Sequence, residues 1–282
     1  MNINFEILIA SRYLSSRRSE SFISISSLFS FIGITIGVAT LIIVMSVMNG
    51  FRLELVDKIV GVNGHAIAYL NEKKNSKKIN DLVDRIENLE EVEFVSKELE
   101  IHAMISNKNN SSGIIIKGID KVDLLERPSI ANNIINGDIS DFTNYSLIIG
   151  SRLASFLNVQ IGDSINILTA SSIASPFGSF PTSDSFQIAG IFDIGMYDYD
   201  RNIIFMPRNI ATFIDSANRN ASQLEIFLSK NNNLRKVSLE IQSILNQQGK
   251  VYSWEKIHRE LFNALKIEKK VMFFILLLIV FI

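Results

Sequence analysis

Apolar positions are spread unevenly along this chain. Residues 21–51 carry no charged side chain and read SFISISSLFSFIGITIGVATLIIVMSVMNGF. An apolar run of about 18 residues or more spans a bilayer as a helix. Residues 22–50 would make ~43 Å of helix, against a hydrocarbon core of ~30 Å. The surplus implies tilt, or a helix that continues out of the membrane as a stalk. A cleaved signal peptide needs a shorter core of about 7–15 residues and a small-residue cleavage site. The run is too long for that and SVMNGF cleaves poorly, so the pattern predicts a retained helix. Residues 4–14 (NFEILIASRYL) read as a short interfacial helix, with Phe5, Leu8, Ile9 and Tyr13 able to lie on the headgroup boundary. Ser26, Ser30, Gly33, Gly37 and Thr40 recur at helical steps along one face of the long run. Small residues let a second helix approach closely, so Gly33 and Gly37 are the expected helix-packing positions.

The next two hundred residues mix charge and apolarity, and their periodicity is short. Residues 77–90 put Ile79, Leu82, Val83, Ile86 and Leu89 on one helical face, and residues 233–247 repeat the pattern. Strands are expected at 65–70, 92–106, 113–119, 146–149, 164–170, 185–194, 203–206, 222–228 and 250–254. A short helix at 151–157 can be capped by Ser151, and another at 207–216 begins with Pro207. Irregular alternation of strands and helices predicts an α+β domain of two lobes. Between two of the strands lies TASSIASPFGSFPTSD, residues 169–184. Pro176 and Pro181 restrict its backbone, Gly178 allows a turn, and Phe177 and Phe180 are apolar. It is either a packed Ω-loop or a projecting finger for a partner with an apolar groove.

At the chain end, KIEKK (266–270) precedes VMFFILLLIVFI. At ~18 Å this tail is too short to cross a bilayer. It is a buried end or, as the pattern favours, the start of a second membrane helix. The expected organisation is a cytoplasmic segment 1–20, a transmembrane helix 21–51, an extracytoplasmic domain 52–268 and an incomplete second transmembrane helix 269–282. Arg12, Arg17 and Arg18 just before the first helix place the N-terminus inside.

Composition narrows the function. A formal net charge of −1 does not suit a general nucleic-acid binder, which needs a basic face. A mean hydropathy of +0.23 with 20% charged residues fits apolar residues gathered into segments. No cysteine is present, which excludes disulfides, thiolate metal sites and cysteine nucleophiles. His65, His102 and His258 show no metal-ligand spacing, and no phosphate-binding loop, nucleophile elbow or zinc-protease motif occurs. Asp193, Asp198 and Asp200 in DIGMYDYDR read as solvated carboxylates at a strand-end turn. Nothing supports an enzyme, a metal or a cofactor.

Four segments carry a wider likeness: RYLSSRRSESFISISSLFSFIGITIGVATLIIVMSVMNGFRLEL, SLIIGSRLASFLNVQIGDSINIL, SPFGSFPTSDSFQIAGIFDIGMYDYD and SWEKIHRELFNALKIEKKVMFFILLLIV. In this order they resemble the integral-membrane subunits of the lipoprotein-releasing ABC transporter, the LolC/LolE family of the MacB/FtsX-like superfamily. The resemblance implies a subunit of the bacterial inner membrane with four membrane helices and a MacB-like periplasmic core domain between the first two. It implies pairing with a homologue or a second copy, and two cytoplasmic LolD-like ATPase subunits as partners. It further implies lipoprotein substrates, contact with membrane lipids, and a LolA-like periplasmic carrier. Pro176, Phe177, Gly178, Phe180 and Pro181 match the hook that holds the carrier, although Ser183 and Asp184 stand where some members have basic or amide residues. Val44, Val47 and Met48 match the lining of the lipid-binding cavity. The alternatives are a mechanotransmitting or efflux permease of the MacB/FtsX type, and a single-span anchored periplasmic scaffold or sensor.

Overall fold

The computed structural model describes residues 5, 8, 9, 21–71, 76–108, 110–143, 145–175, 178–214, 222–229 and 233–281, some within helices and strands by their backbone alone. The interfacial helix expected over 4–14 lies mostly outside them; Phe5, Leu8 and Ile9 are helical and exposed. Two compact units form: Met1–Leu55 with Arg259–Ile282, and Val56–His258.

Helix α1 runs from Ser21 to Asn63. Among the described residues its Ile25–Asn63 stretch is the one helix long and apolar enough to cross a membrane. Phe29, Phe31, Ile36, Ile43 and Val47 all stand exposed along it, as lipid-facing side chains do. The apolar run stops at Phe51, but the helix does not. Arg52, Glu54, Asp57 and Lys58 are compatible with helix once it leaves lipid, and Ile59, Val60 and Val62 are buried again in the second unit. Helix α10, Arg259–Phe281, belongs to the first unit and begins ten residues before the apolar tail's expected start.

The second unit is built on one mixed sheet. Its strands are β1 (Ala66–Leu70), β2 (Val92–Asn107), β3 (Asn110–Ile119), β4 (Ile134–Gly137), β5 (Ser146–Gly150), β6 (Ser164–Ser175), β7 (Gly178–Phe192), β8 (Ile203–Pro207), β9 (Ser222–Leu228) and β10 (Gly249–Ser253). The order is β10-β1-β9-β2-β3-β8-β5-β7-β4, with β6 paired to β2 and β7. The two lobes expected from the sequence share this sheet. Helices α2 (Ser76–Glu87) and α8 (Leu234–Leu245) bury Leu82, Ile86, Val237 and Ile241 against Ala68, Val95 and Ile226 at one end. Helices α5 (Ser151–Leu157) and α7 (Arg208–Ile214) cover the other end, where Leu153 and Ala211 meet Ile116, Ile149 and Ile204. The short helices α3 (Lys121–Leu125) and α4 (Pro128–Ala131) bury Leu124 and Ile130 in a third cluster with Ile148 and Phe205. Adjacent side chains of a strand point to opposite faces, so Leu147, Ile148 and Ile149 feed two cores at once. That is why these strands read as continuous apolar runs rather than as alternation.

Two local expectations are corrected. Gly150, not Ser151, is the N-cap residue of α5, and the Ser151 hydroxyl donates instead to Asp193 Oδ2 at 2.8 Å. A Cβ at Gly150 would come within 2.2 Å of the Asp200 carbonyl oxygen, so the close chain crossing requires glycine. Pro207 ends strand β8 rather than opening helix α7, which starts at Arg208.

Candidate functional site

Three features have the geometry of working parts. The first is an arm. The segment read as a loop over 169–184 is mostly strand: β6 and β7 pair from Ser164↔Gln187 to Ser175↔Gly178, with an irregularity between Leu168 and Ser172. Strand β2 leaves β6 after Ala103↔Thr169. Beyond that point, among the described residues, the two strands pair only with each other, which makes a two-stranded ribbon. Gly178, Phe180 and Pro181 sit on the returning strand, opposite Ser175, Ile173 and Ser172. A proline is tolerated there because a ribbon edge needs no ladder donor on its outer side. Pro176 and Phe177 lie outside the described residues.

The second feature is a groove in the first unit. Met45, Met48, Asn49 and Arg52 of α1 and Leu265, Glu268 and Met272 of α10 enclose about 260 Å³. The α1 residues recur at three- and four-residue steps, so they share one helical face. Of the three cavity residues matched from sequence, Met48 lines this groove. Val44 and Val47 do not, and both are exposed. Helical spacing from Met48 points to Met45, Asn49 and Arg52, whereas the α10 residues had no local signal. On the same helix Gly33 stands open, with nothing within 4 Å of an added Cβ, and Gly37 is half-buried.

The third feature was invisible in the sequence. Glu98 of β2, Lys117 of β3, Glu225 of β9 and Arg127 just ahead of α4 form a buried quartet. Lys117 Nζ donates to Glu98 Oε1 at 2.7 Å and Glu225 Oε1 at 2.8 Å. Arg127 Nη1 lies 2.9 Å from Glu225 Oε2 and 3.2 Å from Glu98 Oε2, as ion-pair contacts rather than aligned hydrogen bonds. The same nitrogen donates to the Val62 carbonyl, near the end of α1, at 2.8 Å. Arg127 also stacks over Phe227, 5.0 Å from its ring centre. Burial pushes the Glu225 carboxyl up to about 7, with Glu98 adding repulsion. Burial also pushes Glu98 up, but the Lys117 and Arg127 charges outweigh it and hold Glu98 low.

Of the three carboxylates expected to be solvated, Asp198 is exposed and Asp193 partly exposed, but Asp200 is buried. Asp200 is 1% exposed and accepts the Ile194 amide at 3.0 Å. Burial raises its pKa, and the neighbouring Asp193 carboxylate adds to the rise. Asp193 itself is held low, first by the Ser151 hydroxyl. Because folding raises the Asp200 pKa, the folded chain binds more protons, and stability falls as pH rises from the ordinary aspartate range through the folded value. Asp200→Asn keeps the acceptor and is expected to remove that fall. Thermal melts of both chains from about pH 4 to 7 check it, and parallel curves would refute the assignment. Among the described residues, no group of three or more His, Asp or Glu side chains is placed to hold a metal.

Comparison with known proteins follows from this geometry. Residues 27–244 match the family described as the MacB-like periplasmic core domain. The chain is 25% identical over 281 residues to the lipoprotein-releasing system transmembrane protein LolC of Neisseria meningitidis serogroup B, covering 98% of this chain and 67% of that one. It is 30% identical over 288 residues to LolC of Buchnera aphidicola subsp. Schizaphis graminum, covering 97% and 68%. LolE of Haemophilus influenzae is 23% identical over 283 residues, covering 99% and 68%. Among solved structures, the periplasmic region of MacB from Actinobacillus actinomycetemcomitans is similar with a TM-score of 0.45 at 10% identity, covering 73% of this chain and 96% of that one. The chain spans about two thirds of the length of the relatives it matches.

Proposed function

Because the chain belongs to the LolC/LolE family, built on a MacB-like periplasmic core domain, we propose that it is a membrane subunit of an ABC transporter that releases lipoproteins from the bacterial inner membrane. In this reading the N-terminus is cytoplasmic, the Val56–His258 unit is periplasmic, and ATP is hydrolysed by a separate LolD-like partner. A second permease subunit, a homologue or another copy, packs on the Gly33 and Gly37 face of α1. The lipoprotein's acyl chains enter the Met48 groove, and a LolA-like carrier takes the product from the β6–β7 arm.

One observation supports this reading most: a single helix, α1, is apolar and exposed over its first part, while its last residues, Ile59, Val60 and Val62, are buried. Such a helix can carry an ATP-driven displacement from one side of the membrane to the other. An anchored scaffold would need no buried helix end. The arm suits carrier capture because Pro176 and Pro181 lower the ordering entropy lost on binding, while Phe177 and Phe180 offer apolar area.

The test is reconstitution with the ATPase and a second permease subunit. ATP is expected to drive lipoprotein release to the carrier, and Phe177→Ala/Phe180→Ala is expected to weaken carrier pull-down about tenfold or more. Release without ATP would defeat the transport reading. Unchanged carrier capture would defeat the hook assignment alone.

A further inference from the structure

The last carbonyls of a helix have no partner within it, and they attract cations. In α1 no basic side chain lies in the last turn. The chain caps this end piece by piece. Gly64 N donates to Val60 O at 2.7 Å, Asn63 Nδ2 donates to Ile59 O at 3.3 Å, and Arg127 Nη1 donates to Val62 O at 2.8 Å. The third contact differs from the others in what stands behind it. The same Arg127 nitrogen touches carboxylates rooted in β9 and β2, and these share Lys117 of β3. Strands β9, β2 and β3 are consecutive neighbours in the sheet. One fully buried guanidinium nitrogen therefore joins the helix backbone to two adjacent central strands, β9 and β2, whose carboxylates are tied to the next strand, β3, through Lys117.

Apolar packing already buries Ile59, Val60 and Val62, so holding the helix does not require a charge. Apolar contacts, however, tolerate sliding, whereas a desolvated ion network has one register and is costly to break. We propose that Arg127 is a positioning residue that fixes the end of α1 to the sheet in one register, so that movement of the helix is delivered to the folded unit rather than lost at the turn after Asn63. The coupling role rests on the transport reading above; the registration role does not.

The chain has no native cysteine, so an introduced pair reports the register cleanly. A Cβ at Gly61 would lie 2.7 Å from Ser129 Cβ, on the residue that begins α4's second position. A disulfide needs about 3.5–4.5 Å between these atoms, so Gly61→Cys/Ser129→Cys closes only when the helix end moves about 1 Å out of the clamped register. Arg127→Met/Glu225→Gln removes the clamp while leaving the Lys117–Glu98 pair balanced, which protects folding. In membranes carrying the full assembly, this change is expected to speed disulfide closure about tenfold or more, because the helix end is free to move. It is also expected to lower lipoprotein released per ATP hydrolysed by about tenfold, with the ATPase rate within about twofold of the parent.

Unchanged closure overturns the registration role whatever the transport result. Faster closure with unchanged release per ATP overturns the coupling role. ATP-driven release by the unsubstituted assembly is the separate measure of the transport reading.

Discussion

Arg127→Met alone is expected to cost about 3–5 kcal/mol of stability, the range for leaving a buried charge without its partner. Two carboxylates would remain in a fully buried site with only Lys117 between them, and the Val62 carbonyl would lose its donor. Glu225→Gln alone is expected to cost in the same direction, because two cations would share one carboxylate. The paired change Arg127→Met/Glu225→Gln restores neutrality. It should cost only about 1–3 kcal/mol, mainly for the orphaned carbonyl. The singles therefore sum to more than the pair, and a double-mutant cycle on thermal melts of the full chain reads the difference directly. For a unit of this size the single changes correspond to a fall on the order of 10 °C in Tm. Additive costs would mean that the quartet does not act as a unit. A melt unchanged by Arg127→Met would mean that the guanidinium is not buried against the carboxylates at all.

The limits of sequence reading have physical causes here. The lipid-facing part of α1 was legible because lipid forbids charge over a continuous stretch, and residues 21–51 obey that rule. Its last twelve residues were not, because a helix outside lipid needs only a periodic buried face, and Ile59, Val60 and Val62 are too few to reveal one. The amphipathic helices α2 and α8 were legible because each covers the sheet with one face and meets water with the other. The quartet was illegible for a different reason. Its members lie 19 and 108 residues apart along the chain, and an isolated Glu or Lys in a strand reads as a solvated position. Only the sheet order that makes β9, β2 and β3 neighbours brings them together. The arm misled through composition: Pro, Gly, Ser and Thr read as a turn, yet the backbone pairs nearly to Ser175 and Gly178. The groove was half-legible. Met48 lines it and Val44 and Val47 do not; its other α1 residues, Met45, Asn49 and Arg52, follow from helical steps, whereas Leu265, Glu268 and Met272 lie far along the chain.

That last distinction yields the second large effect. If the groove holds acyl chains, what matters is how many methylenes it buries. Each contributes about 0.8 kcal/mol. Met45, Met48 and Met272 suit such a ligand, since the unbranched thioether adapts to a flexible chain without demanding one shape. Arg52 and Glu268 line the same groove and, if it holds a lipoprotein, would supply polar contacts for its ester and peptide end. Met48→Trp with Met272→Trp would fill much of the roughly 260 Å³ and displace at least two methylenes. That is about 1.6 kcal/mol, which lowers lipoprotein binding and release more than tenfold. Val47→Trp is the matched control, because Val47 is 63% exposed and lines no part of the groove. It is expected to leave release within about twofold, as conservative changes at exposed positions do. Equal losses from both substitutions would place the substrate on the outer face of α1 instead. No loss from Met48→Trp/Met272→Trp would remove the groove from the transport path, whereas the clamp at the helix end would stand on its own measurements.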